Sequence, residues 1–121
     1  MKILLLTTHM NLGGIGVYVL LLAKGLTKRG HEVFVASCGG NLIGLLESFG
    51  ARHLKIDIKT KAAISPKVFL ARKEVTRIIK EKNIQLIHAH TRVTQMLAYL
   101  VSRKTNIPYL TTCHGFFKPK L

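Results

Sequence analysis

The chain has 121 residues, which fits one domain, and a chain of this size can bury roughly two thirds of its unfolded surface. Nineteen Lys and Arg against five acidic residues give a net charge of +14, a field that attracts anionic partners and weakens with salt. No segment reaches the ~18 apolar residues of a membrane span, because His9, Asn11 and the Gly13-Gly14 pair interrupt the amino-terminal run.

Taken in chain order, Lys2–Thr7 predicts a strand. Its apolar stretch Ile3–Leu6 is shorter than the roughly 7–15 residues of a secretory signal, so it reads as the first strand of a cytoplasmic protein. Gly13, Gly14 and Gly16 lead into a helix whose apolar residues Ile15, Val19, Leu22 and Leu26 fall three or four apart, and Gly30 supplies a left-handed closing residue. A second strand, Glu32–Ser37, precedes a helix bearing Leu42, Leu45, Leu46 and Phe49, closed by Gly50. His53–Ile56 is the third strand. Ser65 and Pro66 then provide a cap and a first-turn proline for a helix with Val68, Ala71, Val75 and Ile78 on one stripe. Gln85–Ala89 is the fourth strand, and Val93, Met96, Leu97, Leu100 and Val101 mark a fourth helix stopped by Asn106 and Pro108. Tyr109–Thr112 is the fifth. Short continuous apolar strands alternating with helices predict an α/β, doubly wound, parallel Rossmann-like sheet of five strands, buried between helices on both faces, in the order 3-2-1-4-5.

In such a sheet the ligand crevice lies beyond the carboxyl ends of the strands, at the switch point between strands 1 and 4. Thr8–Gly14, His90–Arg92 and Cys113–Phe117 are delivered there, bringing three histidines and the glycine pair together. Gly13 and Gly14 leave backbone amides open to a phosphate at the positive end of the first helix, although a turn needing positive φ would also explain them. A dinucleotide fingerprint is not met: Val19 stands where its third glycine belongs, and strand 2 ends in Ser37-Cys38 without a ribose-binding acid. His114 can point into the crevice, with Gly115 leaving room beside it, to meet a sugar or phosphate; the alternative is a structural histidine bonded to backbone. His88 and His90 share one face of strand 4, so the deeper His88 is expected to be a satisfied core histidine and His90 to line the site. Thr91 as helix cap and Arg92 as guanidinium form an anion-binding spot suited to a phosphorylated acceptor, or else a solvated arginine at a helix start. Cys38 and Cys113 lack C-x-x-C spacing and read as reduced, partly buried side chains, neither a nucleophile. The histidines have no Asp, Glu or Cys partners at ligand spacing, so no metal is expected.

Arg52–Lys82 carries ten Lys or Arg against Asp57, Glu74 and Glu81. Lys67, Arg72, Lys73, Arg77 and Lys80 fall away from the apolar stripe of the third helix. Most such runs are solvated faces, but this excess suggests docking on an anionic leaflet, worth on the order of 1 kcal/mol per basic group. Nucleic acid is disfavoured, since there is no aromatic stacking set, zinc-finger spacing or helix-turn-helix pattern.

Four segments in order carry a resemblance: Met1–Gly16, Leu26–Val33, Leu86–Arg92 and Ile107–Gly115. With them the chain resembles the amino-terminal, acceptor-side domain of the retaining two-Rossmann-domain (GT-B) glycosyltransferases that includes lipopolysaccharide and phosphatidylinositol glycosyltransferases. The resemblance implies metal-free transfer of a sugar, with retention, from a nucleoside diphosphate sugar to a lipid or polysaccharide acceptor of the cell envelope, on the inner face of the membrane. It places Gly13 and Gly14 against the donor diphosphate and acceptor, His114 near the reacting centre, and His90 and Arg92 on the acceptor side. The family's basic pair and Glu-x7-Glu segment, which grip the donor, belong to a second domain that this sequence does not contain. The chain alone is therefore expected to be catalytically silent; the other expectation is a membrane-docked scaffold module pairing with a separate catalytic subunit.

Overall fold

The computed structural model describes residues 1–59 and 65–114. Strands β1 (Lys2–Leu6), β2 (Glu32–Ser37), β3 (Arg52–Lys55), β4 (Leu86–Ala89) and β5 (Tyr109–Thr111) alternate with helices α1 (Gly14–Lys28), α2 (Ile43–Ser48), α3 (Pro66–Lys82) and α4 (Arg92–Thr105). Every pairing is parallel and the order is β3-β2-β1-β4-β5, as the alternating pattern predicts. In register, Leu4 faces Phe34 and Ile87, and Leu6 faces Ala36 and Ala89.

Side chains alternate across the sheet, so β1 feeds two cores. Leu4 and Leu6 join Phe34, Ile87, Val75 and Leu97 on the face covered by α3 and α4. Ile3 and Leu5 join Val33, Val35, Val19 and Leu46 beneath α1 and α2. Each fully buried leucine contributes roughly 1.5–3 kcal/mol, which makes β1 the axis of the domain. The expectation of a sheet buried throughout fails at its ends. Arg52 and Lys55 of β3 are exposed, and so is all of β5. On one face α1 and α2 lie over β2 and β3, with Leu86 of β4 partly buried against the same core.

Element ends differ from the expected ones by about a residue: β1 stops at Leu6, β3 starts at Arg52, β4 starts at Leu86 and β5 stops at Thr111. The predicted helix stops are local and hold. Gly30 (φ 89) and Gly50 (φ 98) follow α1 and α2, and Asn106 (φ 61) closes α4. Ser65 holds the cap position with Pro66 behind it but makes no cap hydrogen bond, and its hydroxyl is buried without a partner among the described residues. The proline, with its preset φ, rather than a serine side chain, marks the start of α3.

Candidate functional site

The loops that leave β1, β4 and β5 meet at the carboxyl rim, and hydrogen bonds fix how they meet. The Thr8 and Thr91 hydroxyls share a bond of 2.9 Å. Thr91 caps α4 by accepting from the Thr94 amide at 3.3 Å, while the Thr94 hydroxyl accepts from the Thr91 amide at 3.0 Å. Gln95 Nε2 donates to the Thr112 carbonyl at 3.4 Å, bringing in the chain beyond β5. Cap and loop contact thus use the same threonine, so the start of α4 and the end of β1 are held together.

The β1–α1 loop is also clamped from its other side. Met10 N donates to Gly39 O at 2.9 Å, Leu42 N to Met10 O at 2.8 Å, and Leu12 N to Asn41 Oδ1 at 2.8 Å. Two glycines make this approach possible: a Cβ on Gly40 would lie 2.2 Å from Met10 C, and one on Gly16 would lie 2.1 Å from Asn11 O. Gly13 and Gly14 differ. A Cβ on either would meet nothing within 4 Å, and Gly13, the cap of α1, is extended at φ 162. Positive φ is therefore not what selects them. They stand at the amino terminus of α1, where first-turn amides lack intrahelical acceptors.

Around this frame the histidines cluster. His90 Nδ1 and His114 Nε2 are 3.0 Å apart, and His88 Nε2 is 2.6 Å from Thr112 Oγ1. The His88 and His90 rings stack obliquely with centroids 4.1 Å apart. Tyr18, from the second turn of α1, sets its ring edge-on to His114 at 4.6 Å and lies 5.7 Å from His90. Burial, then the neighbouring His88 and His114, depresses the pKa of His90 to about 3, so its ring is neutral. Burial, then His114, lowers that of His88.

A cavity of about 130 Å³ opens among Ile15, His90, Thr91, Arg92, Gln95, Thr112, Cys113 and His114. A more open depression shares Arg92 and Gln95 and runs past Tyr99 and Tyr109 along α4 and β5. The rim therefore joins His90, Thr91, Arg92 and His114, as the topology predicts; Gly13 and Gly14 do not line the cavity, but Ile15, the next residue in the chain, does. Gly115 lies outside the described residues. His9 does not join the cluster: it is exposed, with the Asn11 amide 3.3 Å from its Nδ1.

Two expectations are corrected. His90 is the buried histidine, 1% exposed, whereas His88 is half-buried; depth along β4 does not set burial, because His90 is covered by Tyr18 of α1 and by His114. Cys113 is exposed rather than partly buried, since it lies past the end of an edge strand. Sequence spacing does not single out Tyr18, Gln95 or Thr112. The only signal for Tyr18 is an aromatic ring on the outward side of α1, one turn beyond Gly14.

Among the basic residues of α3, Lys67, Lys73, Arg77 and Lys80 are exposed, and Arg72 is half-buried, so Arg72 belongs less to the outer face than its spacing suggests. Lys67 lies 3.7 Å from Asp57. Phe69 and Leu70 are exposed on the same helix. No helix among the described residues is long and apolar enough to cross a membrane, and no three His, Cys, Asp or Glu side chains among them are grouped to hold a metal ion.

A sequence profile of Glycosyltransferase Family 4 matches residues 12–121. No curated protein gives a significant match. Among solved structures, the glycosyltransferase from Rickettsia africae ESF-5 superimposes with a TM-score of 0.81 at 26% identity, over 98% of this chain and 31% of that one. The carboxy-terminal domain of a Pyrococcus furiosus hydrogenase (TM-score 0.69, 19% identity, 92% of this chain and 90% of that one) shares the fold alone. So does the Streptomyces sp. SF2575 glycosyltransferase SsfS6 with thymidine diphosphate (TM-score 0.61, 18% identity, 92% and 38%). The chain spans about a third of the length of the Rickettsia africae glycosyltransferase.

Proposed function

The chain belongs to glycosyltransferase family 4, and from that premise we propose that it is the acceptor-binding half of a retaining GT-B glycosyltransferase. The reaction in this reading moves a sugar from a nucleoside diphosphate sugar to a lipid or polysaccharide of the cell envelope. The observation that carries it is the convergence of His114, His90, Thr91 and Arg92 on one rim cavity beside the glycine-led start of α1. At about 130 Å³ the cavity falls short of the roughly 300 Å³ that encloses a small-molecule ligand, which suits one wall of a site completed by a donor-binding domain. The thymidine diphosphate held by SsfS6 supports a nucleotide donor.

In mechanism, the departing diphosphate needs its growing negative charge met by fixed donors in a water-poor cleft. The amides at Gly13 and Gly14 and the positive end of α1 supply such a field from this half. His114 contacts the donor sugar. On the acceptor side, where His90 also lies, Thr91 and Arg92 hold the acceptor, which extends into the aromatic-lined depression past Tyr99 and Tyr109. No metal takes part. Lys67, Arg72, Lys73, Arg77 and Lys80, with exposed Phe69 and Leu70 between them, dock the domain peripherally on an anionic membrane. Without a donor-binding domain the chain transfers no sugar.

Titration of the 15N-labelled chain with UDP-glucose, GDP-mannose and a short-chain phosphatidylinositol is the test. Amide shifts confined to Gly13, Gly14, Thr91, Arg92, Gln95 and His114 are expected, with no sugar transferred. Shifts centred on His31, Asn83 and Gln85 at the opposite end of the sheet would refute the site, and turnover by the chain alone would refute its silence.

A further inference from the structure

Among the described residues, only Ser65, Thr76 and His90 have a buried side-chain polar atom without a hydrogen-bond partner. His90 is the one at the rim, where its Nε2 is unmatched while its Nδ1 is engaged with His114. The pair has a consequence that holds for either position of its proton. Whichever ring donates across the 3.0 Å gap, Nε2 of His114 is taken up inside the protein. Only Nδ1 of that ring is left to meet a ligand. Turning the ring over would put a C–H where Nε2 now sits and lose the bond.

We propose that His90 is a positioning residue, which by engaging Nε2 of His114 fixes the ring so that Nδ1, and not Nε2, serves the rim cavity. The inference rests on the rim being the ligand site, yet the ring's restraint exists without a ligand. His90 is suited to the task. Its ring is 1% exposed and is held between His88, at 4.1 Å, and Tyr18, at 5.7 Å. A depressed pKa keeps it neutral, and a neutral imidazole can offer either an N–H or a lone pair at Nδ1. Tyr18, edge-on at 4.6 Å, walls the other side of His114. Backing a ligand-contacting histidine with a second hydrogen-bond partner is a general way to set its tautomer and orientation.

Histidine-selective 15N labelling of the whole chain, read by long-range proton–nitrogen correlation at neutral pH, tests this. The wild type should show scalar coupling across the hydrogen bond between His90 Nδ1 and His114 Nε2, and His114 nitrogen shifts that are not averaged. His90→Asn places an amide atom where Nδ1 sits and should preserve those shifts. His90→Gln reaches instead to the Nε2 position, and His90→Ala to neither, so both should release His114 to the averaged shifts of a histidine in an unstructured peptide. Absent coupling in the wild type, release in His90→Asn, or unmoved His114 nitrogens in His90→Gln and His90→Ala would each overturn the proposal. The wild-type coupling decides the matter even where a variant fails to fold. With no ligand added, failure here is distinct from failure of the nucleotide-sugar titration.

Discussion

Lowering the pH should unfold the domain partly through His90. Its pKa falls from an ordinary 6.5 to about 3 in the folded chain, first by burial and then by the charges of His88 and His114. Below pH 6.5 the unfolded chain takes a proton on this residue that the folded chain refuses until about pH 3. The unfolded state therefore binds more protons in that window, and stability falls as the pH falls through it. At pH 4.5, two pH units into the window, the loss is about 2–3 kcal/mol. His53 and His88, both lowered chiefly by burial, add to it with the same sign. Urea unfolding followed by far-ultraviolet circular dichroism at pH 7 and pH 4.5 measures the total, and His90→Asn isolates the share of His90. Between the two pH values the wild type should lose about 2–3 kcal/mol more than the variant, a difference of about 1–2 M in urea midpoint. Equal losses in the two proteins would refute the reasoning, because His90 would then not be held neutral by its surroundings.

The glycines separate cleanly. Gly16→Ala forces a methyl to 2.1 Å from Asn11 O and should cost about 1–3 kcal/mol in urea unfolding, whereas Gly13→Ala, which meets nothing, should stay within about 0.5 kcal/mol. Thr91→Ala removes the cap of α4 and the bond to Thr8; a loss of about 1–2 kcal/mol is expected, most of it restored by Thr91→Ser. Anionic vesicles should sediment the chain and neutral ones should not, and Lys73→Glu with Arg77→Glu and Lys80→Glu should weaken that binding at least ~100-fold, taking about 1 kcal/mol per basic group; equal recovery on both vesicles would refute membrane docking.

How much of this was legible without coordinates depended on whether the deciding physics is local. The strand β1 announces itself because Ile3, Leu4, Leu5 and Leu6 must all be buried, which only a strand covered on both faces allows. Gly30, Gly50 and Asn106 are equally legible, since a left-handed closing residue depends on its own φ. Topology then placed the rim before any side chain was assigned a role. Gly40 was opaque for the opposite reason, being required by a loop that arrives from elsewhere in the chain, at Met10, and Gly16 was opaque because only the fold of its own loop brings the Asn11 carbonyl against it. Tyr18 was opaque in the same way, as an outward aromatic that becomes a wall only when His114 comes to meet it.

The histidines mark the boundary between the two kinds of information. Alternation along β4 correctly put His88 and His90 on one face, where their rings do lie together, but alternation carries nothing about cover. Cover comes from neighbours. In the β4–β5 register His88 lies opposite Leu110 and Ala89 opposite Thr111, and the Thr112 amide donates to the Ala89 carbonyl. That pairing brings Thr112 within reach of His88 and carries His114 past the end of the strand to close over His90. The residue read as the deep one therefore kept a partner at a half-open edge, while the residue read as lining the site does line the rim cavity, but from beneath another histidine. Sequence spacing could say that both rings stand at the same end of one strand; only the next strand's register decides which of them touches His114, and so which can aim it.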